Sequence, residues 1–278
     1  MTTTQQATPD ITAWIRSQTA AGQPRALLLQ SMLASGWTQP AAVATLCAVL
    51  DAPKTAPGPA VTVPDPLAGH EGRVLTAGDR SVEVLAALEN PRVLVLGGLL
   101  TDDECDEMIE HSRRRLTRSE TVQTDTGSSE VNAARTSEGM FFERAEFPLC
   151  ERIEARMAAL MRWPVENGEG LQILRYRAGA EYRPHYDYFD PAQPGTPALL
   201  KRGGQRVASL VCYLNTPAKG GGTVFPDVGL EVAAIKGNAV FFSYDRPHPS
   251  TRSLHGGAPV LEGEKWVATK WVRERRFD

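Results

Sequence analysis

The hydrophobic positions of this 278-residue chain change rhythm twice. In residues 10–50, Ile11, Trp14 and Ile15 fall at helical spacing, residues 27–33 form a largely apolar run, and a third run covers residues 41–50. Gly22, Pro24 and Gly36 interrupt them, which predicts three short helices. Residues 51–69 hold Pro53, Pro57, Pro59, Pro64 and Pro66. That density opposes both helix and central strand and predicts an extended spacer, with a boundary that leaves a helical module at 10–50, a linker at 51–70 and a larger domain at 71–278.

Within the larger domain, residues 73–75, 82–85 and 92–96 read as short strands. The run Thr101, Asp102, Asp103, Glu104 is a capping box, so a helix should open there and continue to about residue 115. Ile153, Met157, Leu160 and Met161 mark a second amphipathic helix over Pro148–Met161. Between these helices residues 121–132 are polar and carry Gly and Ser, which predicts a mobile surface loop. From Leu171 onward the signals are short β runs separated by Gly and Pro, with no helix of useful length. About eight strands of that kind fit a double-stranded β-helix. The expected fold class is therefore mainly β with flanking helices: a jelly-roll or cupin-like catalytic domain plus a small N-terminal helical module.

Charge and composition narrow the partners. A formal net charge of −3 argues against a nucleic-acid binder with a broad basic surface, and the basic clusters at 113–115 and 273–276 read as solvated helix or strand ends. Cys47, Cys105, Cys150 and Cys212 are scattered without a CxxC pair, which predicts free thiols. The N-terminus lacks a basic segment followed by an apolar run, and no stretch of about 18 apolar residues exists. No membrane association and a cytoplasmic location are expected.

Chemistry concentrates in YRPHYDYF, where His185 and Asp187 stand two apart in a segment that reads as a strand. Side chains alternate across a strand, so both point to one face. A distant His255 would complete two imidazoles and a carboxylate on one side of a metal, the open arrangement suited to non-haem Fe(II) and O2. The HxD spacing alone is weak evidence, because such pairs arise by chance. His255, however, is followed ten residues later by Lys265, the rhythm of a histidine near one strand end and a lysine on the next. His248 is the competing third ligand, but it lies between Pro247 and Pro249 and has no lysine at the matching offset. On the final strand Lys265, Val267, Thr269 and Trp271 share a face, and Lys270 points oppositely.

The blocks YRPHYDYFDP, GGQRVASLVCYLN, GGTVFP, KGNAVFFSY and SLHGGAPVLEGEKWVATKWVRE, with RTSEGMFF upstream, resemble the prolyl 4-hydroxylase branch of the Fe(II)/2-oxoglutarate dioxygenases. The resemblance implies His185, Asp187 and His255 as iron ligands. It implies Lys265 as the cation for the far carboxylate of 2-oxoglutarate, with Tyr176 and Thr223 hydrogen-bonding that carboxylate and Trp271 lining its pocket. Tyr182, Arg135 and Arg206 correspond to positions near a proline-containing peptide or protein substrate, although a structural role for Arg206 is equally open. The loop before the RTS block would close over that peptide. The reaction implied is hydroxylation of a prolyl residue coupled to conversion of 2-oxoglutarate and O2 to succinate and CO2, with ascorbate as rescuing reductant.

Two alternatives stay open: hydroxylation of a free amino acid or non-prolyl side chain, and a catalytically silent peptide-binding module. The four intact residues His185, Asp187, His255 and Lys265 weigh against the silent module, and Asp187 weighs against a halogenase, which needs the carboxylate position vacated. The job of residues 10–50 is open between docking a protein partner and stabilising or dimerising the enzyme, and the oligomeric state is open with it.

Overall fold

The computed structural model describes residues 9–20, 23–50, 58–118, 120–122, 129–131 and 136–278. The chain divides into two units, Met1–Ala56 and Pro57–Asp278. In the first, helices Pro9–Ala20, Arg25–Ala34 and Gln39–Leu50 bury Ile15, Leu28, Met32, Ala42, Leu46 and Val49 against one another. Helices this short are marginal in isolation, so the shared apolar cluster is what holds them.

The second unit is built on a nine-stranded antiparallel sheet. Its order is Val74–Ala77, Arg80–Leu88, Arg92–Gly97, Ala239–Ser243, Arg206–Tyr213, Glu264–Arg273, Leu171–Arg177, Glu138–Phe142 and Thr117–Arg118. A four-stranded sheet, Leu230–Val232, Thr223–Phe225, His255–Gly257 and Tyr182–His185, provides a second β layer. Together they give the double-stranded β-helix core expected of the sequence.

One face of the large sheet carries the helices Asp102–Arg113 and Pro148–Met161 over a core that includes Phe142, Ile173, Leu210 and Phe241. The capping box forms: the Thr101 N–H donates to Glu104 Oε2 at 3.0 Å and the Glu104 N–H donates to Thr101 Oγ1 at 3.0 Å. Arg156, almost fully buried, reaches both Asp79 carboxylate oxygens at 2.8 Å and both Glu104 oxygens at 2.7 and 2.8 Å. A guanidinium fork matches two carboxylates in this way, so the helices are pinned to the turn before Arg80–Leu88.

Two expectations need correction, and a third lies largely outside the described residues. The second half of the presumed spacer is bound to the domain: the Val61 N–H donates to the Asp245 carbonyl at 2.8 Å, Val63 and Leu67 pack on the large core, and Pro64 and Pro66 are buried. Proline carries no N–H, so its ring can be buried in an extended edge segment without orphaning a donor. The polar stretch at 121–132, expected as a mobile surface loop, contributes to the paired strands Glu120–Val122 and Ser129–Val131 and otherwise lies outside the described residues. Arg273 does not sit at a solvated strand end; it is buried and bonded to Glu169 at 2.6 Å.

Candidate active site

The site lies on the other face of the large sheet. Strand register dictates what shares that face: Ser209 stands opposite Trp271 and Phe242, Val211 opposite Thr269, and Lys265 opposite Tyr176. On the second sheet His185 pairs directly with His255, which brings two imidazoles 70 residues apart in sequence to a ring-centroid separation of 4.4 Å. The strand Tyr182–His185 ends before Asp187, which occupies a bend. Alternation still delivers its carboxylate beside the histidines, and Gln205 holds the bend, accepting from the Phe189 N–H at 2.7 Å and donating to its carbonyl at 2.8 Å.

The ligand atoms of His185, Asp187 and His255 lie within 4.8 Å of one another, the sole such group among the described residues. His185 Nε2 is 3.5 Å from Asp187 Oδ1 and His255 Nε2 is 3.4 Å from Asp187 Oδ2. Each Nδ1 faces a backbone carbonyl two residues upstream, Arg183 at 2.9 Å and Ser253 at 3.0 Å. A carbonyl only accepts, so each Nδ1 carries the proton and each Nε2 presents its lone pair to the site. Burial pushes the His255 imidazole down to about 4, against the pull of Asp187, so it is neutral at pH 7 as a ligand must be. Burial opposes the Asp187 charge, yet His255, His185 and Arg206 outweigh it and hold its carboxyl far below the usual range. Two imidazoles with Nε2 turned to the site and one carboxylate held ionised fit a divalent iron with open positions.

At the far end stands Lys265, 3% exposed. Its Nζ lies over the rings of Tyr176 at 5.5 Å and Tyr213 at 5.7 Å, and among the described residues no hydrogen-bonding acceptor meets it. Burial lowers this ammonium to about 8, Glu231 drawing it back upward. Thr223 is buried, and its Oγ1 accepts from the Tyr213 hydroxyl at 2.8 Å, which leaves the threonine proton free to donate to an anion. A buried cation flanked by a free hydroxyl and aromatic faces fits a dicarboxylate that reaches the metal with its other end.

The model of the 2OG-Fe(II) oxygenase superfamily matches residues 171–273. Prolyl 4-hydroxylase 2 of Arabidopsis thaliana is 40% identical over 211 residues, which cover 68% of this chain and 69% of that protein. The chain belongs to the 2OG-Fe(II) oxygenase superfamily. It is a 2-oxoglutarate- and Fe(II)-dependent dioxygenase of the prolyl 4-hydroxylase-like group. Prolyl 4-hydroxylase 1 of the same plant is 39% identical over 222 residues, 74% of this chain and 76% of that one. A viral collagen prolyl hydroxylase from Paramecium bursaria Chlorella virus 1, solved as its 2OG complex, superposes with a TM-score of 0.51 at 28% identity, covering 65% of this chain and 95% of its own.

Other residues of the oxygenase stand where the sequence suggested, or do not. Tyr182 stacks on the His185 ring at a centroid distance of 3.7 Å, beside the metal position. Trp271 shares the strand and the face of Lys265. The two are six residues apart on one strand, about 20 Å, and the Trp271 ring lies under the Arg206 guanidinium at 4.0 Å. Arg206 itself is committed to structure: Nε and NH2 fork to Glu169 at 2.6 and 2.9 Å, and NH1 donates to the Asp187 carbonyl at 3.4 Å. Burial opposes the Glu169 charge, but Arg206 and Arg273 prevail and keep its carboxyl ionised. Arg135 lies outside the described residues. His248 is an N-cap: its Nδ1 accepts from the Ser250 N–H at 3.1 Å and is 2.8 Å from Ser250 Oγ. Sequence reasoning missed Ser209, Tyr213, Tyr244 and Glu169. The available signal was a serine and a tyrosine at alternate positions of the otherwise apolar RVASLVCYL run.

Proposed function

We propose that this dioxygenase hydroxylates a prolyl residue in a peptide or protein, coupled to oxidative decarboxylation of 2-oxoglutarate to succinate and CO2. The observation that carries the reading is the pairing of the His185, Asp187 and His255 cluster with the buried Lys265, which meets no hydrogen-bonding acceptor among the described residues, in a chain 40% identical to a plant prolyl 4-hydroxylase. Bound Fe(II) and 2-oxoglutarate supply the oxidising chemistry with O2. His185, Asp187 and His255 hold the iron. Lys265 neutralises the distal carboxylate of 2-oxoglutarate, Thr223 and Tyr176 accompany it, and Tyr182 offers an aromatic face to the pyrrolidine ring beside His185. No side chain is asked to act as general acid or base.

Ascorbate as reductant of spent enzyme and a cytoplasmic setting belong to the same reading, the latter in keeping with the unpaired thiols of Cys105, Cys150 and Cys212. The decisive experiment incubates the protein with Fe(II), 2-oxoglutarate and proline-containing peptides. The expected result is a one-oxygen mass gain on proline, matched by succinate. Oxidation of another substrate class with no gain on proline would overturn it, and repeating the assay with and without ascorbate measures the reductant's part.

A further inference from the structure

The mechanism leaves unexplained a polar pair in the driest part of the fold. Ser209 is fully buried in the middle of Arg206–Tyr213, among apolar neighbours, and Tyr244 is 2% exposed. A hydroxyl in such a place costs free energy unless it is hydrogen-bonded. Ser209 Oγ donates to Asp187 Oδ2 at 2.6 Å, and the Tyr244 hydroxyl lies 3.0 Å from the same Oγ.

The proton directions follow from counting. An ionised carboxylate only accepts, so the single Ser209 proton goes to Asp187. Ser209 Oγ then has only lone pairs left for Tyr244, so the phenol must be the donor. The relay therefore runs one way, from Tyr244 through Ser209 to Asp187. Each bond polarises the next, and a charge-assisted contact at 2.6 Å is a strong one.

We infer that Ser209 and Tyr244 are positioning residues which hold Asp187 Oδ2 and so orient this carboxylate toward the histidine lone pairs, ready to bind iron. The inference rests on the oxygenase reading above and deepens it. A carboxylate released from that hold would turn away from the two Nε2 atoms, which weakens iron binding and with it the chelation of 2-oxoglutarate by the iron. The opposite end of the residue is held too, because Arg206 NH1 donates to the Asp187 carbonyl. With main chain and one oxygen both fixed, the aspartate cannot rotate its plane.

The test is Fe(II) affinity by anaerobic equilibrium dialysis, together with the charge-transfer absorption that 2-oxoglutarate develops when chelated to the iron. Ser209→Ala should raise the Kd for Fe(II) about 10- to 100-fold and weaken 2-oxoglutarate chelation in parallel. Tyr244→Phe keeps the serine donor but removes its polarising partner, so its Kd should rise by a smaller factor. Thermal melting of the metal-free proteins separates packing from positioning. A lowered melting temperature with Fe(II) affinity at the wild-type value would overturn the inference. Should Ser209→Ala fail to fold, Tyr244→Phe decides alone: a raised Kd supports the relay and an unchanged one overturns it. A wild-type protein that neither binds Fe(II) nor consumes 2-oxoglutarate would sink the oxygenase reading itself, whereas normal wild-type binding with indifferent variants sinks only the relay.

Discussion

Lys265 and Lys270 belong to one strand, Glu264–Arg273, and are equally hidden, at 3% and 2% exposure. Five residues apart, they project to opposite faces, and their surroundings differ completely. Lys270 is ion-paired to the buried Glu154 and donates to the Glu169 carbonyl. Lys265 meets two tyrosine faces and no hydrogen-bonding acceptor among the described residues. Among the described residues the fold thus places a carboxylate in contact with the ammonium on its helix-covered face and none in contact with the one on the site face. A buried charge without a partner is costly. That cost is incurred where a dicarboxylate co-substrate brings the missing partner.

The contrast can be broken experimentally, beginning with the iron ligands. His185→Ala should cut 2-oxoglutarate turnover by at least about 10³-fold while leaving the metal-free protein folded, because the chemistry resides in the metal. Succinate release and circular dichroism check the two halves of that statement. Next come the lysines. Lys270→Met strands the Glu154 carboxylate and should destabilise the domain by about 3–5 kcal/mol, read from denaturant unfolding, with 2-oxoglutarate affinity of the folded fraction unchanged. Lys265→Met should do the reverse. It removes a charged hydrogen-bond donor to the ligand, so the Kd for 2-oxoglutarate rises about 10- to 100-fold by calorimetry, while the metal-free protein melts no lower than wild type.

The pH dependence sharpens the same point. Burial lowers the Lys265 ammonium from 10.5 to about 8 in the folded protein. Between those values the unfolded chain binds more protons, so this residue's contribution makes stability rise with pH through that window. Ligand binding has the opposite sign, because the ammonium must be charged to pair with a carboxylate. The Kd for 2-oxoglutarate should therefore climb about tenfold per pH unit above pH 8, and Lys265→Met should lack that slope. The smallest effect is expected from Tyr213→Phe. Loss of the hydroxyl that donates to Thr223 should cost about 1 kcal/mol, a several-fold rise in the same Kd.

Much of this arrangement was legible in advance for local reasons. The capping box at Thr101, the helix Pro148–Met161 and the common face of Lys265 and Trp271 follow from neighbours two to four residues apart, which a linear pattern records. The HxD spacing worked for the same reason, and it survived the end of the strand at His185 because alternation persisted for two more residues. Partners were less legible. Trp271 shares a face with Lys265, and its place along the strand sets its ring under Arg206, a contact no linear pattern records. Arg206, left open between a substrate contact and a structural role, and Arg273, read as a surface charge, converge on Glu169 from two separate strands.

By itself, then, the chain's order determined the periodicities: which residues are helical, which faces are apolar, and that His185, Asp187, His255 and Lys265 are spaced to meet. Only the tertiary structure decided which buried charge neutralises which, that Asp187 answers to Ser209 and Tyr244, and that among the described residues Lys270 has a carboxylate in contact where Lys265 has none. The reason is physical. Backbone periodicity constrains direction over a few residues, whereas desolvation of a charge depends on every element packed around it, and that set is complete only once the sheets have closed.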